Sequence, residues 1–203
     1  MRLYRITDNK IMKLFKNKYR IESSRLTGWD YSSDGEYFVT ICTKKMRECF
    51  GEIKNGIMGL NEIGNVAAIC WQQIPSHFPF VELGAWVVMP NHVHGVIIIN
   101  KSENGIIPTT TSSVETQNLA SLQNADYSNK FGPQSKNLAS IIRGFKIGVT
   151  KYAKSHNIDF QWQSRFYDHV IFGELESEMV NNYILDNPRK WENDRDNSEN
   201  LWM

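Results

Sequence analysis

Two long apolar runs, Val81 to Met89 and His92 to Asn100, are joined through nothing more than Pro90 and Asn91, and this junction constrains the fold more than any other feature of the chain. Both runs are rich in β-branched and aromatic residues, as strands are. So short a connection is a tight turn, so the segment is expected to form a β-hairpin.

The flanking segments supply the remaining elements. Glu36 to Thr43 (EYFVTICT), bounded by Gly35 and Lys44, reads as a buried strand. Asn61 is placed to cap a helix through NEIGNVAAICWQQI, which Pro75 stops. Further on, Ser135 is expected to cap an amphipathic helix running to about Ser155. Its inner face carries Leu138, Ile141, Ile142, Phe145, Val149 and Tyr152, with Lys146, Lys151 and Lys154 elsewhere. Phe160 to Phe172 follows as a strand, and a last helix runs from Glu174 to Asn187, closed by Pro188. The first six of these elements suit a ferredoxin-like split βαβ arrangement, an α+β fold with one antiparallel sheet and helices packed on one face. A length of 203 residues is consistent with one domain. Residues 1–34 form a basic N-terminal extension and residues 101–134 a polar Thr/Ser/Asn/Gln insertion without apolar periodicity.

Composition narrows the function classes. Apolar residues make up 41% and charged residues 22%, an ordinary globular mix that excludes wholesale disorder. No apolar stretch approaches the roughly 18 residues of a membrane span, and the charged N-terminus lacks a secretory h-region. A cytoplasmic location with no membrane partner is therefore expected. Cys42, Cys49 and Cys70 are odd in number and show no C-x-x-C spacing, which fits reduced thiols. Net charge is only +1, but it is segregated: residues 1–54 hold twelve Lys/Arg against seven Asp/Glu, residues 136–165 six against one, and residues 166–203 three against nine. Such a chain can present a basic surface to nucleic acid while staying nearly neutral overall, although a solvated face without a partner shows the same pattern.

Two short motifs carry the chemistry. In MPNHVHG, residues 89–95, His92 and His94 stand two apart on a strand and so project from one face, an arrangement that lets two imidazoles share a cation. Two half-exposed histidines beside a turn would have the same spacing. A zinc hydrolase is a further alternative, although no C-x-x-C or H-E-x-x-H motif stands by to complete it. In NNYILDNP, residues 181–188, Tyr183 and Asn187 lie one helical turn apart, which stacks a phenol and an amide on one face. A core tyrosine and a helix-ending asparagine account for that spacing equally well. Two imidazoles and an amide oxygen would leave open positions on a six-coordinate magnesium or manganese ion.

Taken in order, MPNHVHG, a basic helix, WQSRFYDHVI and NNYILDNPRKW resemble the REP-associated tyrosine transposases, a branch of the single-tyrosine HUH transposases. SRLTGWDYSSDGEYFVTICT is similar to that family's opening, so the resemblance spans about residues 15 to 191. It implies that His92 and His94 hold a divalent metal, Mg2+ or Mn2+. It further implies that Tyr183 is the nucleophile and that the amide of Asn187 completes the metal site. The activity implied is a DNA endonuclease and strand transferase that forms a 5′-phosphotyrosine. Its substrate would be single-stranded or hairpin DNA of the REP-palindrome kind, and the protein would act as a monomer or homodimer.

A tyrosine phenol ordinarily titrates near pH 10, so such a nucleophile needs activation. Lys13, Lys16, Lys18 and Arg20, with Lys146, Lys151 and Lys154, are candidates to follow the DNA backbone. Trp29, Tyr31 and Trp162 are candidates either to stack bases or to pack in the core. Arg165 and His169, four apart on the expected strand, would share a face and contact phosphate. The alternative function is a non-catalytic DNA-hairpin-binding protein or regulator derived from such a transposase. A third reading is a metal hydrolase of small molecules.

Overall fold

In a computed structural model, residues 25–101 and 135–193 are described, and they build one mixed α+β fold. Four strands form the main sheet: β1 (Gly35–Cys42), β4 (Val81–Val88), β5 (His92–Ile99) and β6 (Tyr167–Ile171). Their order is β4-β5-β1-β6 with every neighbouring pair antiparallel. This is the order of the split βαβ fold expected from the element pattern.

Side-chain alternation divides the sheet into two faces. On one, Tyr37, Val39 and Ile41 of β1 and Val93, Ile97 and Ile99 of β5 are buried in the larger core cluster. Helices α1 (Glu62–Gln72) and α3 (Leu138–Ser155) pack there, adding Ala67, Trp71, Ile141, Phe145 and Val149. On the opposite face, Val96, Ile171 and Phe38 meet Val180 and Ile184 of α4 (Glu174–Lys190), a smaller cluster that seats this last helix. His92 and His94 alternate with Val93 and so belong to the α4 face.

Local chemistry sets the helix ends. Asn61 caps α1 as expected, its Oδ1 accepting from Gly64 N at 3.0 Å. Pro75 does more than stop that helix: it sits in the first turn of a short α2 (Ile74–His77), where its missing N–H costs nothing. The cap of α3 is Asn137, not Ser135. Asn137 and Ser140 form a reciprocal capping box, which satisfies two backbone N–H groups where Ser135 would satisfy neither.

Three further expectations are corrected. A hairpin of β2 (Gly51–Lys54) and β3 (Ile57–Leu60) stands where none was expected, turning on Asn55 and Gly56 with φ of 53° and 72°. Asn-Gly is the strongest sequence signal for such a turn. The strand β6 begins at Tyr167, not Phe160. Ahead of it, Trp162 is held in an aromatic cluster with Phe50, Phe145 and Phe160, and only an isolated bridge to Thr43 remains. Finally, α4 passes through Pro188 to Lys190 and continues as a 3-10 turn over Trp191–Asn193. The proline lies in the last turn, and the burial of Trp191 beyond it favours continuation. Among the described residues no helix is long and apolar enough to cross a membrane.

Candidate active site

The site is assembled where β5 meets α4. On β5, His92 and His94 are both buried, at 0% and 2% exposure, with ring centroids 4.3 Å apart. This removes the reading of two half-exposed histidines beside a turn. The antiparallel register places Thr40 of β1 opposite His94, and its Oγ1 lies 2.9 Å from His94 Nδ1. His92 Nδ1 lies 2.7 Å from Asn91 Oδ1. Both rings are therefore held through Nδ1, which leaves Nε2 as the nitrogen that could ligate a cation in each. Burial pushes the His92 imidazole down to about 3, so it stays neutral, the form that binds metals.

Close packing backs β5 at this point. A Cβ on Gly95 would lie 2.2 Å from Trp71 Cζ2, so glycine allows the α1 indole to press directly on the strand beside His94.

Helix α4 brings the second half. The Tyr183 ring lies 5.5 Å from His94 and 6.1 Å from Phe38, and Phe38 is itself 5.3 Å from His94. Two turns on, the Trp191 ring lies 6.0 Å from His92. Asn187, at the middle of this i, i+4, i+8 stripe, is thereby carried over the histidine pair, buried at 1% exposure. Its Oδ1, like His92 Nε2, has no hydrogen-bond partner among the described residues. Buried polar atoms rarely stay so without a ligand or function. Tyr183 is 41% exposed and remains reachable from solvent. Among the described residues no three His, Cys, Asp or Glu side chains gather into a metal-holding group. A cation here would rest on two imidazoles and the Asn187 amide oxygen, a neutral donor set compatible with magnesium or manganese and with open coordination positions.

The other expected contact residues are spread out. His169 lies on β6 on the same face as the histidine pair, and its Nε2 pairs with Glu176 Oε1 at 2.8 Å. Glu176 Oε2 also accepts from Phe172 N at 2.7 Å, so this carboxylate ties the first turn of α4 to β6. Arg165 precedes β6, so it does not share a strand face with His169 as expected. Lys146 Nζ donates to the carbonyls of Gln163 and Arg165, at 2.8 and 2.9 Å, and burial pushes its ammonium down to about 8. Lys151 and Lys154 are exposed and, with Arg143 and Lys146, line a groove of about 470 Å3 beside Ile147 and Phe166. That groove lies along α3, which packs on the face opposite the histidines. Lys13, Lys16, Lys18 and Arg20 fall outside the described residues. Tyr31 is buried in the core and Trp29 and Trp162 pack against it, which favours packing over base stacking for these three.

Sequence reasoning missed Thr40, Asn91 and Trp191. Trp191 was accessible, standing eight residues after Tyr183 on the same helical stripe. Thr40 depends on strand register, which local pattern does not reveal.

No family model matches the sequence. An uncharacterized protein of Haemophilus influenzae is 38% identical over 176 residues, covering 85% of this chain and 91% of its own length. A solved structure of a REP-associated tyrosine transposase bound to a REP hairpin superposes with a TM-score of 0.51 at 16% identity, covering 82% of this chain and 73% of that one. The likeness shows a shared fold.

Proposed function

The chain belongs to the same family as the Haemophilus influenzae protein, and we propose that it is a transposase-like DNA endonuclease and strand transferase using Tyr183 as a covalent nucleophile. One observation carries this reading: Tyr183 of α4 and Trp191 just beyond it lie against the buried His94 and His92 of β5, with the buried Asn187 one helical turn from each. The fold shared with a transposase solved on a REP hairpin supports the choice of DNA over a small-molecule substrate.

His92 and His94 would hold a magnesium or manganese ion through ring nitrogens, and Asn187 through Oδ1. When bound, the cation would neutralise charge on the scissile phosphate and orient it. Tyr183 stands at the edge of this cluster, half in solvent, where a phosphate from an extended strand can reach it. Its phenolic oxygen bonds to phosphorus as the P–O3′ bond breaks. The phenolic proton passes to solvent, and the departing oxygen takes up a proton to become a 3′-OH. The chain then holds a 5′-phosphotyrosine. Attack by the 3′-OH of a second strand reverses the step, reforms the phosphodiester and returns the tyrosine. Because the ester retains the bond energy, no nucleotide is hydrolysed, in keeping with the lack of a G-x-x-x-x-G-K-[ST] motif.

The substrate proposed is single-stranded DNA or a hairpin with an unpaired flank, since the scissile phosphate has to enter a site between sheet and helix. REP-like palindromes are the natural class to examine. Incubation with labelled hairpin DNA and Mn2+, followed by denaturing electrophoresis, tests the proposal. A protein–DNA adduct is expected from the wild type and none from Tyr183→Phe. An adduct of equal yield in both would overturn it.

A further inference from the structure

The amide of Asn91 is oriented from both ends. Its Oδ1 lies 2.7 Å from His92 Nδ1, and its Nδ2 donates to the carbonyl of Met46 at 3.3 Å. A carbonyl only accepts, so the amide nitrogen must face Met46 and the amide oxygen must face the ring. That oxygen also only accepts. The proton of a neutral His92 imidazole therefore sits on Nδ1 and the lone pair on Nε2. Nε2 is the buried ring atom with no hydrogen-bond partner among the described residues.

The Met46 carbonyl is itself held by an unusual turn. Lys45 and Met46 have φ of 58° and 54°, the left-handed region that side-chain-bearing residues seldom occupy in succession. Thr43 fastens the turn, its Oγ1 donating to Arg47 O at 2.6 Å, while Thr43 N donates to Asn91 O at 2.9 Å. Pro90 O accepts from the backbone N–H groups of Cys49 and Phe50, at 2.9 and 3.0 Å, which fixes the residue before Asn91 as well. Strained backbone kept in place by several bonds is a feature of sites where a group must be aimed.

We propose that Asn91 is a positioning residue for the cation site, its Met46-anchored amide locking His92 as the Nδ1–H tautomer with Nε2 presented as a ligand. The assigned tautomer follows from the hydrogen bonds alone, whereas the link to a cation rests on the proposed function. Metal-ligating histidines are commonly oriented in this way through the other ring nitrogen, and loss of such a partner weakens metal binding by roughly 10- to 100-fold.

Two measurements test this. In the metal-free wild type, two-bond 1H–15N correlations of the His92 ring are expected to show a protonated Nδ1 and an unprotonated Nε2, and the reverse pattern would overturn the assignment. Mn2+ titration followed by electron paramagnetic resonance is then compared in the wild type, Asn91→Leu and Asn91→Asp. Asn91→Leu, which removes the acceptor, is expected to bind roughly 10- to 100-fold more weakly. Asn91→Asp, which keeps an acceptor for Nδ1–H but loses the donor to Met46 O, should recover part of the loss; a merely structural role would leave it no better than Asn91→Leu. Tight wild-type binding left unchanged by Asn91→Leu would overturn the inference alone. Failure of the wild type to bind Mn2+ while the Nδ1–H signal persists would overturn the metal reading and the positioning role with it.

Discussion

The ring of Tyr183 rests 5.5 Å from the ring of His94, across the seam between α4 and β5. Tyr183 is 41% exposed, while Val180 and Ile184 on the same helix supply the buried anchor. Tyr183→Phe is therefore expected to change stability by less than about 0.5 kcal/mol, the range of exposed substitutions. Thermal melts of the two proteins check this. A large loss of stability would mean that the hydroxyl has a structural role and would weaken its assignment as a nucleophile.

Asn187 gives a different expectation because it is buried. Asn187→Asp places a carboxylate where its Oδ1 has no partner, which is costly without a counter-charge. The metal-free variant is expected to be less stable than the wild type by about 1–3 kcal/mol. A bound cation would supply the missing charge, so Mn2+ should raise its melting temperature more than that of the wild type. Equal responses to Mn2+ would place Asn187 outside the cation site.

Burial of His92 makes stability depend on acid. Its imidazole is held down to about 3 in the fold, whereas an unfolded histidine titrates near 6.5. Between those values the unfolded chain binds a proton that the folded one does not. The contribution is thus fully present above about pH 6.5 and is lost as pH falls through about 3. Urea melts from pH 7 to 4 should show declining stability, with a shallower decline in His92→Gln. Identical slopes in the two proteins would contradict the burial assigned to this ring.

Gly95 is expected to tolerate no side chain, because its Cβ would lie 2.2 Å from the Trp71 ring. Overpacking of this kind costs about 1–3 kcal/mol. Trp71→Phe in the Gly95→Ala background should recover part of the loss by making room. If the two changes are simply additive, the proposed contact is not what limits the position.

Much of this arrangement is legible in local pattern. The period of two puts His92 and His94 on one strand face, the period of 3.6 stacks Tyr183 with Asn187, and the hairpin through Pro90 and Asn91 follows from its short connection. The meeting of β5 with α4 is not local. It depends on Phe38, Val96 and Ile171 lining the sheet face on which Val180 and Ile184 settle, a match of surfaces far apart in the chain. Thr40 escaped notice for the same reason, since its pairing with His94 is a matter of register. The expected end of α4 at Pro188 weighed a backbone preference that the buried Trp191 overrides. Asn55-Gly56 was a readable turn signal, missed because the strands on either side are only four residues each.

The identity of the nucleophile is tested most directly by mapping the adduct. Protein incubated with hairpin DNA and Mn2+ is digested with protease and nuclease, and the modified peptide is sequenced by tandem mass spectrometry. A nucleotide 5′-phosphate is expected on the oxygen of Tyr183. A nucleotide on any other residue, or strand cleavage with no covalent peptide at all, would contradict this assignment.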